Sequence, residues 1–217
     1  MSSRLLAASA AAVVLVCLPL ELPRADDKND GHFEFTMGFV TGEQKHSGTH
    51  FKRETDSRLH LDEPFLHAPF NQVHVHGLRY ELRLVSHHVR MTAGFDVPFT
   101  SYQTADATNS YEIDDRLVEV VAEELRPYDL HFGIGGEYWI GPVAAYADLL
   151  GGVHWTYATF LVDGEHLDYS ATSFNFWARV GLRFHVKDWL FLAAAGEIGL
   201  VGDLRWAAEL SVGFAIM

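Results

Sequence analysis

Residues 173–191, SFNFWARVGLRFHVKDWLF, alternate between two chemistries with almost no interruption. Phe174, Phe176, Ala178, Val180, Leu182, Phe184 and Val186 fall on one face. Asn175, Trp177, Arg179, Gly181, Arg183, His185 and Lys187 fall on the other. A period of two puts successive side chains on opposite sides of a β-strand, so this is a strand with one apolar and one polar face. Two folds satisfy such a strand. In a soluble sandwich the phenylalanines form the core and the arginines are wet. In a transmembrane barrel the order inverts, with phenylalanine against lipid and arginine inside.

Seven further segments repeat the pattern. Phe33, Phe35, Met37 and Phe39 oppose Glu34 and Thr36; Leu78, Tyr80, Leu82 and Leu84 oppose Arg79, Glu81 and Arg83. Val89, Met91, Ala93, Phe95, Val97 and Phe99 oppose Arg90, Thr92 and Asp96. Tyr128, Leu130, Phe132, Ile134, Tyr138 and Ile140 oppose Asp129, His131 and Glu137. Leu149, Val153, Trp155, Tyr157 and Leu161 oppose Tyr146, Asp148, His154 and Thr156. Leu190, Leu192, Ala194, Ile198 and Leu200 oppose Glu197, and Trp206, Leu210, Val212, Phe214 and Ile216 oppose Arg205, Glu209 and Ser211.

The connections between these segments differ in length. Tight turns fall at 86–88, 141–142 and 187–188, between longer links at about 43–76, 100–127 and 162–172 and a short one around Gly202-Asp203. Short and long connections alternate, as in a transmembrane barrel with short turns on one side and larger loops on the other. Tyr128, Tyr138, Trp155, Tyr157, Phe184 and Trp206 lie near segment ends, where interfacial aromatic girdles sit. The expected fold is all-β: an eight-stranded antiparallel up-and-down transmembrane β-barrel. A short amphipathic helix is expected in the second long link. There Ile113, Leu117, Val120, Val121 and Leu125 recur at helical spacing, Asn109 and Glu112 resemble a capping box, and Pro127 follows.

The beginning of the chain fits export. Arg4 precedes an apolar run from Leu5 to Leu20, then come Glu21, Pro23 and a small residue, Ala25. The run is short for a membrane span and is flanked like a signal peptide. Residues 1–25 are therefore expected to be removed, leaving 26–217 as one barrel domain. Cys17, the only cysteine, lies in that leader, so the mature domain has no disulfide framework. A formal charge of −13 argues against nucleic acid as a partner.

The leader, the eight amphipathic segments, the alternating connections and the final segment ELSVGFAIM together resemble the small outer-membrane barrels. The OmpA membrane domain and the OmpX- and OmpW-like proteins are the comparison. Leu210, Val212, Phe214 and Ile216 take the outward positions of that family's last strand; its usual terminal aromatic is absent here. The resemblance is one of pattern and covers nearly all of 26–217. It implies a Gram-negative outer-membrane location, contact with outer-membrane lipid, and tight turns facing the periplasm. It further implies no cofactor and a non-enzymatic envelope role, with outer loops 43–76 and 100–127 meeting a protein or surface partner. A narrow channel for small solutes is the alternative, and a lipid-modifying enzyme a third reading. A soluble periplasmic barrel or sandwich stays open.

Three constellations carry chemistry. The first is the polar interior expected from the alternation: Glu34, Arg79, Glu81, Arg83, Arg90, Asp96, Glu137, Asp148, Arg179, Arg183, Glu197, Arg205 and Glu209. Eight strands leave little lumen, so these ions are expected to neutralise one another as a plug, centred on Arg179 and Arg183 with Glu137 and Glu197. The second is histidine. His46, His50, His60, His67, His74 and His76 fall in or near the first long link, and HVH puts His74 and His76 on one side of an extended segment, a spacing able to grip zinc or copper. No cysteine or well-spaced carboxylate completes that site, so no metal is expected. The third is HWT, where His154 and Thr156 share the polar face; a lipid-facing His–Ser pair would be needed for lipid deacylation, so no catalytic residue is assigned.

Overall fold

The computed structural model describes residues 31–45, 50–53, 66–67, 72–99, 108–113, 116–162, 164–202 and 205–216. The leader at 1–25, and His46 and His60, lie outside these residues. The described residues form eleven strands: β1 (His32–Lys45), β2 (His50–Arg53), β3 (Leu66–His67), β4 (Gln72–Ser86), β5 (Val89–Pro98), β6 (Thr108–Ile113), β7 (Arg116–Ile140), β8 (Val143–Val162), β9 (Glu165–Lys187), β10 (Leu190–Val201) and β11 (Arg205–Ile216). Eight form a ring in the order β1-β4-β5-β7-β8-β9-β10-β11, every pair antiparallel. The first and last strands close it, from Phe33 opposite Ile216 to Gln44 opposite Arg205. Closure removes both sheet edges, which is what lets strands cross a bilayer with all backbone groups paired.

Followed once round the ring, the registers return to β1 displaced by about ten residues, a stagger that goes with the usual strand tilt of roughly 35–45°. The interior is correspondingly narrow. At Gly42 a Cβ would stand 2.1 Å from the Trp206 carbonyl oxygen and 2.7 Å from Ala207 Cα. Gly42→Ala is therefore expected to force β1 away from β11 and cost about 1–3 kcal/mol, as overpacking does. A lowered urea midpoint of the folded barrel would show it, and an unchanged midpoint would refute the tight approach.

One end of the barrel has three tight turns, at His87–His88, Gly141–Pro142 and Asp188–Trp189. Gly141 (φ 63°) and His87 (φ 55°) take the left-handed conformation these reversals need. The other end is taller. There β7, β8 and β9 run 25, 20 and 23 residues, against the roughly 9–11 a tilted membrane strand requires. The strand registers locate the boundary on the outward surface. Leu210, Phe39, Leu78 and Val97 form an apolar row; the next contains Ala208, Thr41 and His76, and the next Trp206, Glu43 and His74. On the opposite side, Leu130, Val153 and Phe174 give way to Tyr128 and Trp155, then Arg126 and Tyr157, then Glu124, Thr159 and Asp168. Tyr128 stacks on Trp155 at 6.2 Å and meets Tyr157 edge-on at 6.0 Å, a girdle at the hydrocarbon limit.

Below that limit the outward surface is a continuous band of exposed Phe, Leu, Ile, Met and Val. It is far larger than the apolar patches water tolerates on a soluble monomer. The face that meets lipid is the phenylalanine face.

Two expectations about the connections are corrected. The link at 162–172 is mostly strand, since β8 runs to Val162 and β9 begins at Glu165, with Gly164 between them at φ 84°. The expected helix is instead strand: β6 pairs with β7 from Thr108 opposite Val121 to Ile113 opposite Arg116. The cause is a bulge in β7 between Ala122 and Glu124. Even positions Val120 and Ala122 point inward before it, odd positions Leu125, Pro127 and Asp129 after it. A parity change midway through a strand mimics three-and-four spacing. The β-branched Val118, Val120 and Val121 favour the extended chain. Pro127, expected beyond a helix, lies within β7 where neither β5 nor β6 pairs with its free side.

The tall end has an apolar core of its own. Val120, Ala122 and Leu125 of β7, Ala158 and Phe160 of β8, and Tyr169 and Ala171 of β9 are buried, with the Phe160 and Tyr169 rings 5.1 Å apart. The sheet widens there, with β6 beside β7, β2 beside β9 and β3 beside β2. On that added ladder His50 stands opposite His67.

Candidate functional site

The lumen is filled by charge. Glu34, Arg79, Glu81, Arg83, Arg90, Glu137, Asp148, Arg179, Arg183, Glu197, Arg205 and Glu209 are buried and Asp96 nearly so, all pointing inward as the alternation predicts. Each ring strand contributes at least one of these charges from its inward-facing positions, β10 only Glu197 beside Phe191 and Ala193.

Near the short-turn end Arg183 is the hub. One Nη donates to both oxygens of Glu34 and the other to Glu137 Oε1 at 2.7 Å, while the guanidinium lies over Trp139 and Phe191 at 4.9 and 5.0 Å. Trp139 Nε1 donates to the same Glu137 oxygen at 2.9 Å, and His32 Nε2 lies 3.0 Å from Glu34. Arg90 sits 3.9 Å over the Tyr146 ring, with Asp148 at 3.5 Å and Glu137 at 3.8 Å. Those separations exceed direct hydrogen bonds, so Arg90 is held by charge and by the ring face and makes no fork.

In the middle, Glu81 accepts from Arg83 and Arg179 and lies 3.0 Å from His131 Nε2. Arg179 also grips Asp148 Oδ2 through Nε and Nη2 at 3.0 and 2.8 Å and reaches Glu209 at 3.3 Å. Arg79 forks onto Asp96 with two bonds of 2.7 Å and donates to Glu209 at 3.0 Å and to Glu197. Toward the tall end Arg205 joins Asp129 at 2.7 Å, Glu197 at 2.6 Å and Asp96 at 3.3 Å, over the face of Trp177. Forked, shared ion pairs of this kind offset the desolvation that an isolated buried charge would suffer.

The expected centre is partly rearranged. Arg183 does pair with Glu137 across the intervening β8. Arg179 and Glu197 are opposite in register, yet Glu197 turns to Arg79 and Arg205 and Arg179 to Glu81, Asp148 and Glu209. The network also includes residues that a list of strand charges left out: Asp129, His131, Tyr146, His154 and Trp177. These five stand on faces that the alternation marks as polar; Trp139, at the end of β7, is a further member that it does not mark.

Past Arg205 lies a small cavity of about 20 Å³, lined by Val40, Gln44, Asp96, Pro127, Asp129 and Arg205 among others. Beside it, Asp129 Oδ1 lies 2.9 Å from His154 Nδ1, and His154 Nε2 lies 2.9 Å from Thr156 Oγ1 and 2.8 Å from Gln44 Nε2. That order of groups parallels a carboxylate–imidazole–hydroxyl triad. Thr156 is only 1% exposed, however, and the Gln44 amide occupies the same imidazole edge, so the hydroxyl is packed into the wall. Its geometry suits a structural clamp joining β1, β7 and β8.

His74 and His76 lie on the outer surface of the tall end, away from the lumen. Among the described residues no group of three or more His, Cys, Asp or Glu side chains is arranged to hold a metal ion.

The fold and its charged filling together define a transmembrane β-barrel whose described interior is crossed by ion pairs. No family model and no curated protein matches the chain. Among solved structures it is similar to Ail, the attachment invasion locus protein of Yersinia pestis, at 14% identity and a TM-score of 0.48, covering 86% of this chain and 99% of that one. It is similar to Neisserial surface protein A at 12% identity and a TM-score of 0.49, covering 84% and 96%. The N-terminal β-barrel domain of Pseudomonas aeruginosa OprF matches at 12% identity and a TM-score of 0.37, over 86% and 100%.

Proposed function

We propose that this is a non-conducting, non-enzymatic barrel of a Gram-negative outer membrane, exported through the leader at 1–25. Its role is to hold the tall sheet above the lipid as a surface for contact with a partner. The observation that carries this reading is the ion network from Arg205 through Arg79, Glu209 and Arg179 to Glu81, which crosses the lumen at mid-depth. A solute would have to displace several forked pairs at once, each stronger in this low-dielectric setting than in water. The tight turns face the periplasm and outer-membrane lipid surrounds the apolar band. The contact surface is the β6–β7 hairpin and the β2–β3 ladder, within the loops at 43–76 and 100–127.

Planar-bilayer recording tests the occlusion. The purified barrel is expected to insert without stepwise ohmic conductance. Steady channels that persist after repurification would replace this reading with the small-solute channel.

A further inference from the structure

At the tall end the sheet runs β6-β7-β8-β9-β2-β3 and, unlike the closed ring below, ends in two edges. One is β3, only two residues long. The other is β6, which pairs with β7 from Thr108 opposite Val121 to Ile113 opposite Arg116. Among the described residues β6 has no ladder partner on its far side. Its partners, 116–121, lie well beyond Tyr128 on β7. At about 3.3 Å per residue and a tilt of roughly 40°, that sets β6 roughly 15–30 Å above the girdle. Edge strands are normally blunted by shortness, lysine, proline or a bulge. The short β3 meets that rule and β6 does not. Its sequence, TNSYEI, has no lysine, arginine, proline or glycine and one charge, Glu112, and its ladder with β7 has no register shift.

The sequence of β6 is complementary to itself. Laid antiparallel over its full length, two copies set Thr108 opposite Ile113, Asn109 opposite Glu112 and Ser110 opposite Tyr111, so no charge stands opposite a charge. Symmetry then fixes where the second copy stands. Such a pair is related by a two-fold axis perpendicular to the sheet. The sheet rises from the membrane, so that rotation turns the barrel axis upside down. A parallel pair would need its axis along the strand. The strand tilt of roughly 35–45° would then leave the two barrel axes about 70–90° apart, outside any common membrane. We propose that β6 is a self-pairing edge, forming an antiparallel ladder with β6 of a second copy in a facing outer membrane and so joining neighbouring cells. This rests on the proposed orientation, with the tall end outside the cell. A ladder of 6 residues a side is smaller than stable interfaces, so each contact is weak and many act together between two membranes. The formal charge of −13 opposes approach, and salt at about 0.15 M screens it beyond roughly 8 Å.

The test is tethering of vesicles. The leader-free protein is folded into two sets of preformed phosphatidylcholine vesicles, one dye-labelled and one immobilised. The tall end, too polar to cross the bilayer, stays outside. Capture of labelled vesicles is expected when both sets carry the protein and not when either is bare. Ser110→Lys/Tyr111→Lys on both sets puts cations opposite one another and should abolish capture, as should Ser110→Glu/Tyr111→Glu on both. Lysine vesicles mixed with glutamate vesicles should capture again, the signature of β6 meeting β6. No capture by the parent, or capture that the like-charged variants leave unchanged, would overturn the self-pairing. Failure of the mixed sets to capture would overturn it equally. The heat-dependent gel shift of the same samples tells the two readings apart. With the shift intact these failures count against β6 alone, and without it the barrel reading fails as well.

Discussion

Arg79→Met is expected to lower the unfolding free energy of the membrane-folded barrel by about 3–5 kcal/mol, the scale of breaking a buried ion pair from one side. Methionine keeps much of the stem volume, so the loss reports charge more than packing. The substitution leaves Asp96, Glu197 and Glu209 without their shared fork. Arg205 still reaches Asp96 and Glu197, and Arg179 still reaches Glu209, which keeps the cost from rising further. Urea unfolding in lipid vesicles, followed by tryptophan fluorescence, measures it. Adding Glu197→Gln should recover part of the loss, because the two positions couple directly. A change under about 1 kcal/mol would mean that Arg79 is compensated by water in an open lumen.

The second large effect lies on the opposite surface. Leu149→Arg, near the middle of the apolar stretch of β8, should cost about 2–4 kcal/mol, because the cation must be accommodated at mid-bilayer depth. Thr159→Arg, ten residues further along the same outward face, should stay within about 0.5 kcal/mol, since it lies above the Tyr128–Trp155 girdle and loses only an exposed bond to Asp168. The same unfolding assay in vesicles compares the two. Equal, small effects at both positions would place Leu149 in water and remove the bilayer from the account.

Both predictions rest on what was legible in the chain. Alternation assigns faces wherever a strand is regular, because the period of two depends only on local backbone geometry. That is why Glu34, Arg90 and Glu209 could be placed inside before any pairing was known. The bulge at Ala122/Glu124 breaks the period, and the sum of two half-strands read as a helix. Which arginine meets which carboxylate was not legible either. Arg179 finds Glu81 from the far side of the barrel, a contact set by the stagger of the whole ring. The β2 strand beside β9 depends on long-range pairing with no local signature. His154 and Thr156 were visible as neighbours on one face, but their partners Asp129 and Gln44 come from other strands.

The most direct measurement is electrophoresis of the protein from isolated cell envelopes, before and after boiling in detergent. A closed sheet has no edge from which to fray, so the unheated protein should resist denaturation and migrate as a compact species, shifting only when boiled. Recovery in the outer-membrane fraction with that shift is the predicted result. Recovery in the soluble periplasmic fraction with no shift would contradict the account, turning the phenylalanine face into a core and the arginines into a surface.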